Sequence, residues 1–314
     1  MRYQAKLKSI GILLVIAILA VGLSGCKIAF DEEATVKINP KNLYQDVSSA
    51  GSQKPQSVDP LIFNSSGSDI YGQILAPDSV YNEARPVVIM LHGFAGFTKM
   101  DEIGAALCRA GCVVIIPYHR GAWGSQGTYS FSNCIEDAKN LADYATGDDF
   151  SKKYHTDRSG VILIGHSLGG NTAVNTAVQS KKVKGLVLLA PCDMGKMASE
   201  MSEEELRPFL IDNGAEAVHC GGVDALVTDA KSHAKDWRFP DHADKLKDMP
   251  IYIATGDKDD VCPAEKMTAD FVKALDAAGG SGAHAAKSYP ADHSLASVRV
   301  TLTRDIAAFI AGMK

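Results

Sequence analysis

The chain has 314 residues, 46% apolar and 22% charged, with a net charge of −5. That is enough apolar material for one large domain or two small ones; no basic surplus points to nucleic acid, and no long acidic run appears. None of the seven cysteines stands in a C-x-x-C pair or at metal-ligand spacing from histidine, so no metal site is expected.

Arg2, Lys6 and Lys8 precede an apolar run from Ile10 to Leu23. It is shorter than the roughly 20 residues of a spanning helix and has the length of a signal-peptide core. The run ends Leu23-Ser24-Gly25-Cys26, which resembles a bacterial lipobox. The resemblance implies that residues 1–25 are a lipoprotein signal peptide. It also implies lipidation of Cys26, export to the cell envelope, and anchoring to a membrane through the acyl chains. Export permits disulfides, and six thiols allow 15 pairings; most of the remaining six cysteines sit in or beside apolar stretches, which favours a buried free thiol for several and leaves the redox state open. Residues 26–58 are polar and read as the lipidated N-terminus and a tether, with a flexible reach of roughly 30 Å.

A domain is expected over residues 59–314. Leu61 to Asn64 and Asp69 to Ala76 read as short strands joined at Ser65-Ser66-Gly67-Ser68. An alternation follows. Pro86 to Leu91 is apolar and ends His92-Gly93-Phe94. Asp101 to Ala110 is helical in pattern, Cys112 to Pro117 apolar, and Ser132 to Ala145 helical again. Val161 to Ile164 is apolar and precedes a helix to about Ser180, and Val183 to Leu189 is apolar. Short runs that are apolar throughout and alternate with helices predict a mostly parallel sheet flanked by helices. The alternation pauses over residues 193–248. That is too long for a loop in a compact domain, and Ser202 to Glu205 forms a capping box, so a helical cap inserted between two strands is expected. Strands at Ile251 to Ala254 and Ala285 to Tyr289 and helices at Pro263 to Ala278 and Ser297 to Met313 complete the pattern.

Val161 to Ile164 runs into Gly165-His166-Ser167-Leu168-Gly169-Gly170. A G-x-S-x-G segment between strand and helix is the setting that holds a serine on a sharp, strained turn with its hydroxyl exposed. A serine nucleophile also needs a base, an acid to orient that base, and oxyanion donors. Asp257, Asp259 and Asp260 follow the strand at Ile251, Asp193 follows the strand at Val183, and Asp292-His293 follows the last strand. The chain order Ser, Asp, His fits a hydrolase of α/β type.

With His92-Gly93-Phe94, Arg120 to Gly127, Gly165 to Gly170, Gly256-Asp257-Lys258-Asp259 and Asp292-His293 in this order, the chain resembles the α/β-hydrolases. It is similar to the dienelactone-hydrolase and prolyl-oligopeptidase-like esterases. The resemblance implies an α/β-hydrolase fold and a catalytic Ser167, Asp259 and His293. The backbone N–H groups of Phe94 and Leu168 would serve as the oxyanion hole. Trp123 and Tyr129 are candidates for a substrate pocket, with packing as the alternative. No cofactor is expected, and the expected partners are a small-molecule ester and a membrane. A peptidase of oligopeptidase type is the nearer alternative, though about 35 residues between Cys26 and the domain leave no room for a propeller. A non-catalytic binding protein on the same fold is the alternative of another class, and it is disfavoured because all three triad residues are present.

Overall fold

The computed structural model describes residues 37–47 and 52–313. Eight strands form one sheet: β1 (Ser57–Ser65), β2 (Ser68–Ala76), β3 (Arg85–Leu91), β4 (Val113–Pro117), β5 (Thr156–His166), β6 (Val183–Leu189), β7 (Ile251–Gly256) and β8 (His284–Tyr289). Their spatial order is β1-β2-β4-β3-β5-β6-β7-β8. The pair β1–β2 is antiparallel and joins β4 antiparallel, while every pairing from β4 to β8 is parallel. All residues of β3 and β4 are buried, as the unbroken apolar runs predict.

Eleven α-helices are described: α1 (Asp101–Arg109), α2 (Phe131–Ala145), α3 (Asp148–Tyr154), α4 (Leu168–Gln179), α5 (Met194–Glu200), α6 (Glu203–Asp212), α7 (Val223–Ser232), α8 (Ala243–Leu246), α9 (Ala264–Met267), α10 (Ala269–Ala278) and α11 (Arg299–Ala311). Strand alternation divides the core by parity. Ile162, Ile164, Val187 and Leu189 face Ile103 and Leu107 of α1 and Leu302, Ile306 and Ile310 of α11. Val161, Leu163, Leu186 and Leu188 face Leu141 of α2, Val174 of α4 and Phe271 and Leu275 of α10. A third cluster packs α5, α6 and α7 over Leu168, Cys192 and Cys262 above the carboxyl edge of the sheet.

Several boundaries differ from those expected. β1 begins at Ser57 because an antiparallel hairpin with one open face tolerates alternating polar residues. β5 begins five residues early, through the exposed Arg158 and Ser159, and α3 precedes it. Thr268 divides the expected helix at Pro263 to Ala278 into α9 and α10. Residues 37–47 lie within the expected tether, yet they dock on the domain. Leu43 is buried in the α1–α11 core, and its carbonyl accepts from the Arg109 guanidinium at 2.6 and 2.9 Å. The stretch between β6 and β7 holds helices and one isolated antiparallel bridge, from Val218 to Ala122, and it divides. Its later part, with Phe239 and Leu246, packs against Phe271 and Leu275 as part of the helical layer. Only the earlier part stands over the sheet edge. All six described cysteines are free and buried. Among the described residues no helix is long and apolar enough to cross a membrane. The readings at residues 1–25 and Cys26 lie outside the described residues.

Candidate active site

β5 ends at His166, and Ser167 turns the chain into α4 with φ 53° and ψ −122°. A non-glycine residue is held in that region only where its surroundings dictate it. Here the Ser167 N–H donates to the Leu189 carbonyl at 2.9 Å, and the Ser167 carbonyl accepts from Gly170 and Cys192 at 2.8 and 3.0 Å. The flanking glycines are steric requirements. A Cβ on Gly165 would stand 2.2 Å from the Gly169 carbonyl oxygen, and one on Gly169 would stand 2.0 Å from the Leu91 carbonyl oxygen.

His293 follows β8, and Asp259 follows β7. The His293 Nδ1–H donates to Asp259 Oδ2 at 2.8 Å. Asp259 Oδ1 accepts from the N–H groups of Val261 and Cys262 at 3.0 and 2.7 Å, and its carboxylate is fully enclosed. Burial pushes this carboxyl upward, but the His293 bond and the two N–H donors outweigh it and hold it below the ordinary carboxylate range. With Nδ1 bonded to Asp259, Nε2 is left to act as a base. Ser167 and His293 line one cleft of about 310 Å³. Among the described residues, Ser167 Oγ and His293 are not hydrogen-bonded to each other.

Gly93 abuts the serine, since a Cβ there would lie 2.8 Å from Ser167 Cβ. Its carbonyl accepts from His92 Nδ1–H at 2.7 Å, and His92 Nε2 accepts from the His119 N–H at 3.2 Å. These two bonds define a neutral His92 tautomer. Across a trans peptide the N–H points opposite to the carbonyl, so this brace turns the Phe94 N–H away from His92. The Leu168 N–H begins α4, where no intrahelical acceptor exists for it. Neither N–H donates to another main-chain group among the described residues.

His166 holds the other partner in place. Its Nε2–H donates to the His293 carbonyl at 2.9 Å, and burial pushes its imidazole down to about 3. Asp193, an alternative acid, is instead the N-cap of α5. Its two oxygens accept from Lys196 and Phe239 N–H at 2.9 and 3.0 Å.

The two pocket candidates take other places. Tyr129 is 2% exposed and packs between Phe94 and Phe131 at ring separations of 5.5 and 6.1 Å, so it supports the loop from below. Trp123 is 45% exposed and does not line the cleft. Its Nε1–H donates to the Ala95 carbonyl at 2.7 Å, and its indole meets Phe97 edge to face. The cleft is lined instead by Phe97, Asn213, Asp260, Val261, Asp292 and neighbouring main chain, with no lysine or arginine among them. No sequence motif marks Phe97 or Asn213, because each reaches the cleft through the folding of a loop or a helix end.

A family model described as serine aminopeptidase, S33, matches residues 82–209. The comparison with curated proteins found no match. Three solved structures are similar. A thermostable carboxyl esterase from Bacillus coagulans, in complex with glycerol, is 17% identical, with TM-score 0.62 over 82% of this chain and 99% of that one. The Pyrococcus furiosus esterase PF2001 is 14% identical, with TM-score 0.60 over 87% and 97%. Puromycin hydrolase is 19% identical, with TM-score 0.59 over 82% of this chain but only 40% of its own length. The sheet order, the strained serine turn between β5 and α4, and these likenesses agree that the chain has the α/β-hydrolase fold.

Proposed function

We propose that this chain is a serine hydrolase that cleaves carboxylic esters through an acyl-enzyme on Ser167. The observation that carries the reading is the 2.8 Å bond from His293 Nδ1–H to Asp259, in a cleft that also holds Ser167 on its strained turn. His293 Nε2 takes the Ser167 proton as Oγ attacks the acyl carbon, then returns it to the leaving alcohol. Asp259 fixes the tautomer and stabilises the imidazolium. The Phe94 and Leu168 N–H groups receive the developing oxyanion. The Ser167–His293 contact is one that closes when substrate arrives. Ser167→Ala should abolish both esterase activity and labelling by a fluorophosphonate. Persistent labelling at another serine would refute the assignment.

A peptidase acting on short peptides is the second reading. Favouring it are the match to a serine aminopeptidase model and a cleft that holds the carboxylates of Asp260 and Asp292 without a cation. Paired rate measurements on esters and on aminoacyl and peptidyl amides separate the two.

We further infer that the protein is exported and lipid-anchored at Cys26. Lys37, the first described residue, pairs with Glu83 at 2.8 Å, just before β3 begins and therefore at the amino edge of the sheet. The Ser167 cleft lies at the carboxyl edge, roughly 20 Å away along a seven-residue strand. What supports the anchor is the Leu23-Ser24-Gly25-Cys26 segment behind a short apolar run. Cys26→Ala should release the protein from the membrane fraction, and palmitate incorporated into that variant would overturn the anchor.

A further inference from the structure

Beside the Ser167 cleft lies a second hollow of about 450 Å³. The two share Asn213, Asp260 and Val261, so a ligand that leaves the cleft between the end of α6 and the Asp259 loop enters the hollow. Its apolar walls are Met197 and Met201 at α5, Phe209 of α6, and Val261, Pro263 and Met267 around α9. Glu200 and Lys266 also border it.

Half of those apolar walls are methionine. An unbranched thioether with three rotatable bonds adapts its shape to an apolar neighbour, where a β-branched or aromatic wall would select one shape. The floor is tied to the catalytic turn. Met197 is 5% exposed, with its Sδ 2.9 Å from Cys192 Sγ. The Cys192 N–H in turn donates to the Ser167 carbonyl at 3.0 Å. A chain lying on this floor is therefore held at a fixed offset from Ser167.

We propose that the hollow is the substrate's apolar subsite. It takes an unbranched hydrocarbon chain attached to one side of the scissile ester, so the substrate class is a medium- to long-chain ester. The proposal rests on Ser167 as the nucleophile. The test uses the full chain and two ester series, one lengthening the acyl group and one lengthening the alcohol. Each methylene that enters the hollow raises kcat/KM by up to about fourfold, so one series should climb until the hollow is filled. Met267→Trp and Met201→Trp each place an indole in it and should lower the ratio of ten-carbon to two-carbon kcat/KM by at least about tenfold. If one variant fails to fold, the other carries the test. Flat profiles in both series overturn the proposal, as does an unchanged ratio in a folded variant. Binding of 1-decanol, read as a rise in Tm of the wild type that Met267→Trp lacks, requires no hydrolysis. Failure of the subsite is thereby separated from failure of the Ser167 assignment, which an active Ser167→Ala variant would reveal.

Discussion

The Asp259 carboxylate is engaged on both oxygens, one facing His293 and the other two main-chain N–H groups. Asp259→Asn keeps the shape of the side chain and removes the charge that stabilises the imidazolium. It should lower kcat by about 10³–10⁴ with KM little changed. Asp193→Asn and Asp260→Asn should each cost less than about tenfold in kcat. For Asp193 the effect falls on folding instead, about 1–2 kcal/mol, since one of its two main-chain donors loses its acceptor when an oxygen becomes an amide NH2. A larger kcat loss at Asp193 than at Asp259 would move the acid. Gly93 invites a sharper test. A methyl there meets Ser167 Cβ at 2.8 Å and the His166 carbonyl oxygen at 3.1 Å, so Gly93→Ala must displace the peptide that carries the Phe94 N–H. Loss of one oxyanion donor lowers kcat by about 10²–10³. Gly93→Ala should fall in that range while retaining the wild-type Tm to within a few degrees. Ser167, Asp259 and His293 were legible in the sequence because each lies within a few residues of a strand end whose apolar run is unmistakable. Phe97 and Asn213 were not legible, because loop closure and helix packing decide where they point. Tyr129 stayed open between pocket and packing for a related reason: an aromatic beside a glycine-rich loop can face the cleft or brace the loop, and the choice depends on Phe94 and Phe131.

At the scale of elements, strands buried on both faces are the most readable feature, since β3, β4, β6 and β7 admit almost no polar residue. α3 was missed because its seven residues carry two buried aromatics, Phe150 and Tyr154, and no repeating stripe. The docked segment at residues 37–47 was missed because its polar composition hides one anchoring side chain, Leu43. That anchor yields a prediction. Leu43→Ala opens a cavity between α1 and α11 and should destabilise the domain by about 2–3 kcal/mol, the lower part of the range for buried leucines, because the short segment can detach and relieve the loss. Urea unfolding should show a lower midpoint at constant m. A shift below about 0.5 kcal/mol would mean that the segment contributes nothing to the folded domain. In the stretch between β6 and β7, the later helices hold Phe239 and Leu246 in the core. A trimming experiment on substrate preference therefore belongs to α6 and α7.

For the whole molecule, buried imidazoles tie stability to pH. His92, His119 and His166 are nearly enclosed, and burial depresses all three, His119 to about 4, His166 to about 3 and His92 well below its ordinary value. In the unfolded chain each titrates near 6.5. Between that value and its folded value, each histidine is protonated when unfolded and neutral when folded, so unfolding takes up a proton and stability falls as pH falls. Asp193 acts in the opposite sense. Burial raises it to about 6, so between its ordinary value and about 6 the folded state holds the extra proton. Asp259 is shifted downward, so its stabilising contribution is present above the ordinary carboxylate range and is lost only as pH falls below it, outside the window considered. Asp137, which burial also raises, acts in the same sense as Asp193, but the three deeply buried imidazoles dominate near pH 5, so unfolding takes up protons there and stability is lost as pH falls. His242, also depressed by burial, adds to the loss in the same direction. Urea midpoints at pH 7 and pH 5 should therefore differ strongly, with the lower midpoint at pH 5. Single replacements His92→Gln and His119→Gln should each reduce that pH-linked difference even where they lower stability at pH 7. A midpoint that stays level or rises toward pH 5 would show that these imidazoles are not held neutral in the folded protein.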